Sequence, residues 1–256
     1  MEQWQHWYRK ITERLGYDSA EDGRAAEILS RLLKDRQMPL EELRRRVEGR
    51  PALIFGAGPS LEADLKRIAR KTRLLESCSL ITADGATTAL LKTAHKNPDI
   101  VVTDLDGVIE DIQAADRNGA YVVIHAHGDN IPQLRRYVGG LSNVLGTTQV
   151  EPTGGLHNFG GFTDGDRAVF LAEALGGGPL ALAGMDLGEV AGRFSKISVA
   201  SPEVKAVKLR FCKDLLEWLA SNAKIDLYNL TGGGEEIEGF RRVSPEEFEE
   251  GIITRW

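Results

Sequence analysis

From residue 51 onward the chain alternates short apolar runs with longer amphipathic stretches. Residues 52–55, 80–83, 100–103, 121–124 and 180–183 are runs of apolar and β-branched side chains, Val144 starts a weaker one, and 225–230 is a last strand-like stretch interrupted by Asp226 and Asn229. Continuous apolar runs of this length predict strands covered on both faces, as in parallel sheets. Helical spacing follows most of them: from Ser60 to about Ala69, up to Leu90 and Leu91, up to about Leu175, and over 204–219. The alternation predicts an α/β fold, a doubly wound and mainly parallel Rossmann-like sheet. Ahead of it, Trp4, Trp7, Tyr8, Ile11 and Leu15, then Ile28, Leu29, Leu32 and Leu33, fall at helical spacing. Pro39, Glu41 and Glu42 open a further helix through Val47 that Gly49 can end. The expected divisions are an N-terminal helical segment (1–49) serving as a cap or dimer contact, an α/β catalytic domain (50–232) and a C-terminal extension packed on it (233–256).

Polar residues gather where the apolar runs stop. Gly56, Gly58 and Ser60 follow the first run, Asp84 and Gly85 the second, Asp104 and Asp106 the third, His125, His127 and Asp129 the fourth, and Asp186 the sixth. Ligands of a doubly wound sheet bind outside the carboxyl ends of its strands. In an extended chain Asp104 and Asp106 point the same way. Their repulsion is relieved by a hard cation such as Mg²⁺, which takes carboxylate oxygens and completes its shell with water and phosphates. Alone, Asp-x-Asp is equally a turn with two solvated acids. Five acids at one rim shift the balance to a metal and phosphate site.

Three other motifs stay open on the residues alone. Gly56-Ala57-Gly58 resembles the start of a dinucleotide fingerprint, but Leu61 stands where the third glycine belongs. It is a phosphate loop or a tight turn, with Ser60 able to cap the next helix. His125 and His127 lack a third nitrogen or sulfur ligand, so catalytic zinc is not indicated. Gly160 to Ala168 leads into a helix that Thr163 or Asp164 can cap. Arg167 in its first turn offers a planar fork to phosphate oxygens or an ordinary ion pair.

Composition narrows the classes. The 256 residues are 42% hydrophobic and 27% charged, with a net charge of −6. General nucleic-acid binding needs a basic face and is not expected. Cys78 and Cys212 are too few for a disulfide framework or zinc cage. The first eight residues lack an apolar core, and no stretch reaches membrane-spanning length, so a cytoplasmic protein is expected.

Ala83-Asp84-Gly85-Ala86, Pro98-Asp99 leading into Thr103-Asp104-Leu105-Asp106-Gly107, and Gly128-Asp129-Asn130 resemble motifs of the thiamin pyrophosphokinase family. Residues 50–230 are more closely similar to the archaeal 6-hydroxymethyl-7,8-dihydropterin pyrophosphokinase family, in 56–61, 103–107, 161–167 and 183–188. That resemblance implies transfer of diphosphate from ATP to a pterin hydroxymethyl group with release of AMP, Mg²⁺ as cofactor, in tetrahydromethanopterin or folate-type synthesis. It implies that Asp84, Asp104, Asp106 and Asp129 hold Mg²⁺ and the triphosphate, with Gly56, Gly58, Ser60, Gly85, Thr163, Asp164 and Asp186 around the substrates. Arg167 would stabilise charge on the transferred group, and Asp129 would take the hydroxyl proton. Asn158, Asp164 and Asp186 are candidates for the pterin edge. The thiamin family's C-terminal β-sandwich has no counterpart after Ile225, and its Asp-x-Thr-Asp is His127-Gly128-Asp129-Asn130 here, which argues against thiamin. The partners expected are ATP and a pterin alcohol, no nucleic acid or membrane, and a second copy in a homodimer. The rivals are a metal-dependent glycosyltransferase using a nucleotide-sugar, a thiamin diphosphokinase, and a non-catalytic nucleotide sensor.

Overall fold

The computed structural model describes residues 2–188, 192–195 and 201–255. Eight strands form one sheet: β1 (Ala52–Phe55), β2 (Ser79–Ala83), β3 (Ile100–Thr103), β4 (Tyr121–Ala126), β5 (Val144–Thr148), β6 (Leu180–Ala183), β7 (Leu227–Asn229) and β8 (Arg241–Arg242). Their order is β5-β4-β3-β2-β1-β6-β7-β8, and every adjacent pair is parallel. The chain walks outward from β1 to β5, then returns to lay β6 against β1's other edge. The order therefore reverses between β1 and β6, where such sheets open a crevice. Helices α1 (Glu2–Leu15), α2 (Ser19–Leu33) and α3 (Leu40–Val47) precede the sheet. Helices α4 (Leu61–Ile68), α5 (Thr72–Ser77), α6 (Ala86–Ala89), α7 (Ile109–Arg117), α8 (Ile131–Tyr137), α9 (Asp164–Ala174), α10 (Pro202–Asn222) and α11 (Pro245–Phe248) follow.

Successive strand residues face opposite sides, so the apolar runs feed two layers of core. Ile54, Ile81, Val102 and Val123 pack on one face with Trp4 and Ile11 of α1, Leu43 of α3, Val169 of α9 and Leu215 of α10. On the other, Leu53, Phe55 and Leu80 meet Leu65, Leu74 and Phe248, while Val101, Val122 and Val144 meet Leu29, Leu33, Ile112 and Leu134. The aromatic stripe of α1 packs on this core, with Trp4 and Ile11 buried and Trp7, Tyr8 and Leu15 half-buried. At the other terminus Phe248 is fully buried, its ring 5.2 Å from that of Tyr228.

Some local details differ from the sequence reading. The run at 225–230 pairs only over Leu227–Asn229, whereas the weak run at Val144 makes a full strand. The exposed two-residue β8 has no apolar signature to announce it. Ser60 stands at the start of α4 but makes no capping bond, because its hydroxyl is engaged by Asp64 and Asp186. Among the described residues no helix is long and apolar enough to cross a membrane.

Candidate active site

The loops after β1, β2, β3, β4 and β6, the loop before α9 and the first turns of α10 enclose a cavity of about 880 Å³. That is the upper part of the range for small-molecule sites. Asp84, Asp104 and Asp106 meet in it, with carboxylate oxygens within 4.8 Å of one another, the only such metal-type group among the described residues. Local backbone holds them there. Asp84 and Leu105 sit at positive φ (38° and 65°), so the chain turns sharply as β2 and β3 end. The Thr103 hydroxyl donates to Asp84 Oδ1 at 2.6 Å, and the Thr103 oxygen accepts the Leu105 amide at 2.8 Å. The Asp106 amide donates to Asp104 Oδ1 at 3.2 Å, and His127 Nε2 lies 3.2 Å from Asp104 Oδ2. A side chain at Gly107 would run into the Asp84 carboxylate, so only glycine lets the β3 loop close over it.

Withdrawal from water, then the charges of Asp104 and Asp106, push the Asp84 carboxyl up to about 7, against hydrogen bonds from Thr103 and the Gly107 amide. Like charges so close disfavour ionisation unless a cation joins them. Three oxygen donors with no sulfur suit Mg²⁺ rather than a soft metal.

Elsewhere on the cavity wall, α9 begins with a reciprocal cap. Asp166 accepts from the Phe162 and Thr163 amides (2.7 Å each) and from the Thr163 hydroxyl (2.5 Å). This fixes the first turn and hence Arg167, which is 8% exposed. Its Nη1 lies 3.4 Å from Asp164 Oδ1, its Nη2 donates to Gln149 Oε1 at 3.0 Å, and its Nε has no acceptor among the described residues. Burial, then the charge of Asp104, holds Asp164 well above the ordinary carboxylate range. Burial, then the charge of Arg167, keeps His125 well below the usual histidine range, so that ring is neutral.

At the β1/β6 crevice a second pair of acids is tied down. Asp64 of α4 accepts from the Gly184 amide (3.1 Å), the Gly232 amide (2.9 Å) and Ser60 (2.8 Å), joining the loops after β1, β6 and β7. Asp186 Oδ2 accepts from the Ser60 amide (3.2 Å) and hydroxyl (2.9 Å). It fills the space beside Gly58 that a side chain there would need.

Of the residues singled out by sequence, Gly56, Gly58, Asp84, Gly85, Asp104, Asp106, Asp129, Thr163, Asp164, Arg167 and Asp186 all line this one cavity. Asp129 is exposed and stands outside the group of three acids. Ser60 and Asn158 do not line the cavity. Both ends of the Asn158 amide are spent on backbone, at Val150 and Gly160. The sequence reading missed Asp22, Asp64, Thr103 and Gln149.

The model of the 6-hydroxymethylpterin diphosphokinase MptE-like family matches residues 27–192. The chain belongs to that family. It is 48% identical over 229 residues to the 6-hydroxymethyl-7,8-dihydropterin pyrophosphokinase of Methanothermobacter thermautotrophicus, covering 87% of this chain and 96% of that one. The proteins of the same name from Pyrococcus furiosus (44% identity, 87% and 95% coverage) and Methanocaldococcus jannaschii (37%, 88% and 98%) are similar over nearly their whole length. Among solved structures, the MAf glycosyltransferase from Magnetospirillum magneticum AMB-1 matches at TM-score 0.56 and 18% identity, over 78% of this chain and 34% of its own. That likeness is one of fold alone. The family's match stops at 192, so α10 and its cavity-lining lysines lie beyond it.

Proposed function

We propose that this protein transfers the β,γ-diphosphoryl group of ATP to the hydroxymethyl oxygen of 6-hydroxymethyl-7,8-dihydropterin, releasing AMP. The observation that carries the reading is the meeting of Asp84, Asp104 and Asp106 in one cavity that Arg167 also lines, in a chain whose relatives bear that enzyme's name. Asp84, Asp104 and Asp106 would hold Mg²⁺, which when bound offsets phosphate charge and orients the triphosphate. The chain's own groups do the rest. Thr103 and His127 keep two of the carboxylates in place. Arg167, with a buried Nε lacking an acceptor among the described residues, supplies donors to the oxygens of the group in transfer. In the step itself the alcohol oxygen bonds to Pβ, the bond from Pβ to the bridging α-oxygen breaks, and AMP leaves with that oxygen. The hydroxyl proton needs an acceptor. Asp164, beside Arg167, and the exposed Asp129 both line the cavity and are the candidates.

The test is an assay of ATP and Mg²⁺ with hydroxymethyldihydropterin, in parallel with thiamin, reading nucleotide products by chromatography. AMP and a pterin diphosphate are expected, with no AMP from thiamin. ADP in place of AMP, or no nucleotide turnover with the pterin, overturns the proposal.

A further inference from the structure

A buried chain of side chains runs from the N-terminal helices to the cavity. The Tyr8 hydroxyl of α1 donates to Asp22 Oδ2 of α2 at 2.6 Å, and Gln149 Nε2 donates to the same oxygen at 2.7 Å. The other end of that amide, Oε1, accepts Arg167 Nη2 at 3.0 Å. Asp22 Oδ1 takes the Gly128 amide at 2.7 Å, fixing the loop after β4, and the Gln149 carbonyl takes Trp4 Nε1 at 2.8 Å. Asp22 and Gln149 are each 4% exposed. The direction of the chain is set by chemistry. Asp22 accepts, so Gln149 must turn its NH₂ toward it, which leaves the amide oxygen and not its nitrogen for the guanidinium. A flipped amide would set acceptor against acceptor at Asp22 and donor against donor at Arg167, a costly arrangement away from water.

We infer that Asp22 and Gln149 are positioning residues for Arg167, and that helices α1 and α2 complete the active site rather than merely cap the sheet. This rests on the proposed reaction only in giving Arg167 its task. The relay holds the guanidinium through Nη2, with Nη1 beside Asp164, and leaves Nε to face substrate.

The test uses Gln149→Glu, Asp22→Asn and the double variant in the full chain. Gln149→Glu sets a second carboxylate against Asp22, and kcat should fall about a hundredfold, the scale of an ångström of misplacement. KM for the pterin should hold within about threefold. Adding Asp22→Asn restores a donor facing an acceptor and should recover about tenfold of the lost kcat. Crystal structures of the same variants should show Arg167 displaced in the single variant and returned in the double. If Asp22→Asn improves neither the rate nor the Arg167 position of Gln149→Glu, the inference falls. If Gln149→Glu does not fold, Gln149→Met, which keeps the length but offers no acceptor, must show the same loss. Full kcat in folded Gln149→Met overturns the relay. Absence of AMP release by the unaltered protein would sink the reaction instead, and the crystallographic comparison would still decide the positioning.

Discussion

Two clusters of aspartates lie at the same edge of the sheet and are built in opposite ways. At the ends of β2 and β3, Asp84, Asp104 and Asp106 converge on one another across a cavity. At the β1/β6 crevice, Asp64 and Asp186 are wrapped by backbone amides of the loops they join and share one serine hydroxyl. The first arrangement concentrates negative charge and makes physical sense with a cation present. The second spends its charge on N–H groups that would otherwise be buried unsatisfied. Residue type alone does not separate a binding carboxylate from a structural one. The partners do.

The largest effect should come from the first cluster. Asp106→Asn keeps size and shape but removes one of three converging charges, and turnover should fall roughly a thousandfold or more. The melting temperature should hold or rise, since a source of the strain on Asp84 is gone. A rise in melting temperature on adding Mg²⁺ should be present in the unaltered protein and absent in the variant. Near-normal turnover in Asp106→Asn would erase the distinction between the clusters.

In the second cluster the loss should fall on folding. Asp64→Ala removes the acceptor of the Gly184 and Gly232 amides at once. Stability should drop by about 2–3 kcal/mol, the scale of leaving buried donors unsatisfied, measured by urea unfolding. The fraction that remains folded should bind magnesium nucleotide. A variant of full stability without nucleotide binding would put Asp64 among the binding acids instead.

The sequence carries the first cluster more plainly than the second. Apolar runs that stop at an acid mark strand ends, and the doubly wound pattern brings strand ends to one rim, so Asp84, Asp104 and Asp106 can be read together. Asp22, Asp64 and Gln149 cannot, because their partners lie far along the chain: Gln149 is 127 positions from Asp22, and Gly232 is 168 from Asp64. One local signal was there. Asp64 sits among Leu61, Leu65 and Ile68, and Asp22 is one turn from Ala25 and Ala26 and two from Leu29, so each places a charge on a helix's apolar face. A charge so placed needs a buried partner, yet nothing in the spacing names it. Asn158 failed for the converse reason: polar residues in a glycine-rich loop often serve the loop's own backbone, as this one does.

The smallest effect separates charge from hydrogen bonding within the clamp. The Ser60 hydroxyl lies 2.8 Å from Asp64 Oδ2 and 2.9 Å from Asp186 Oδ2. Burial raises the Asp64 carboxyl above its ordinary range, and the bond from Ser60 is the first of the effects that pull it back down. Ser60→Ala removes that pull, so the folded-state value rises further above that of the unfolded chain. A carboxyl raised in this way adds stability below the unfolded value, about 4, and loses it as pH rises through the folded one. The substitution should therefore cost little near pH 4 and about 1–2 kcal/mol at pH 8, read from urea midpoints across that range. A cost that does not change with pH would mean that the serine acts by packing alone, and that the two clusters differ less in their electrostatics than in their shape.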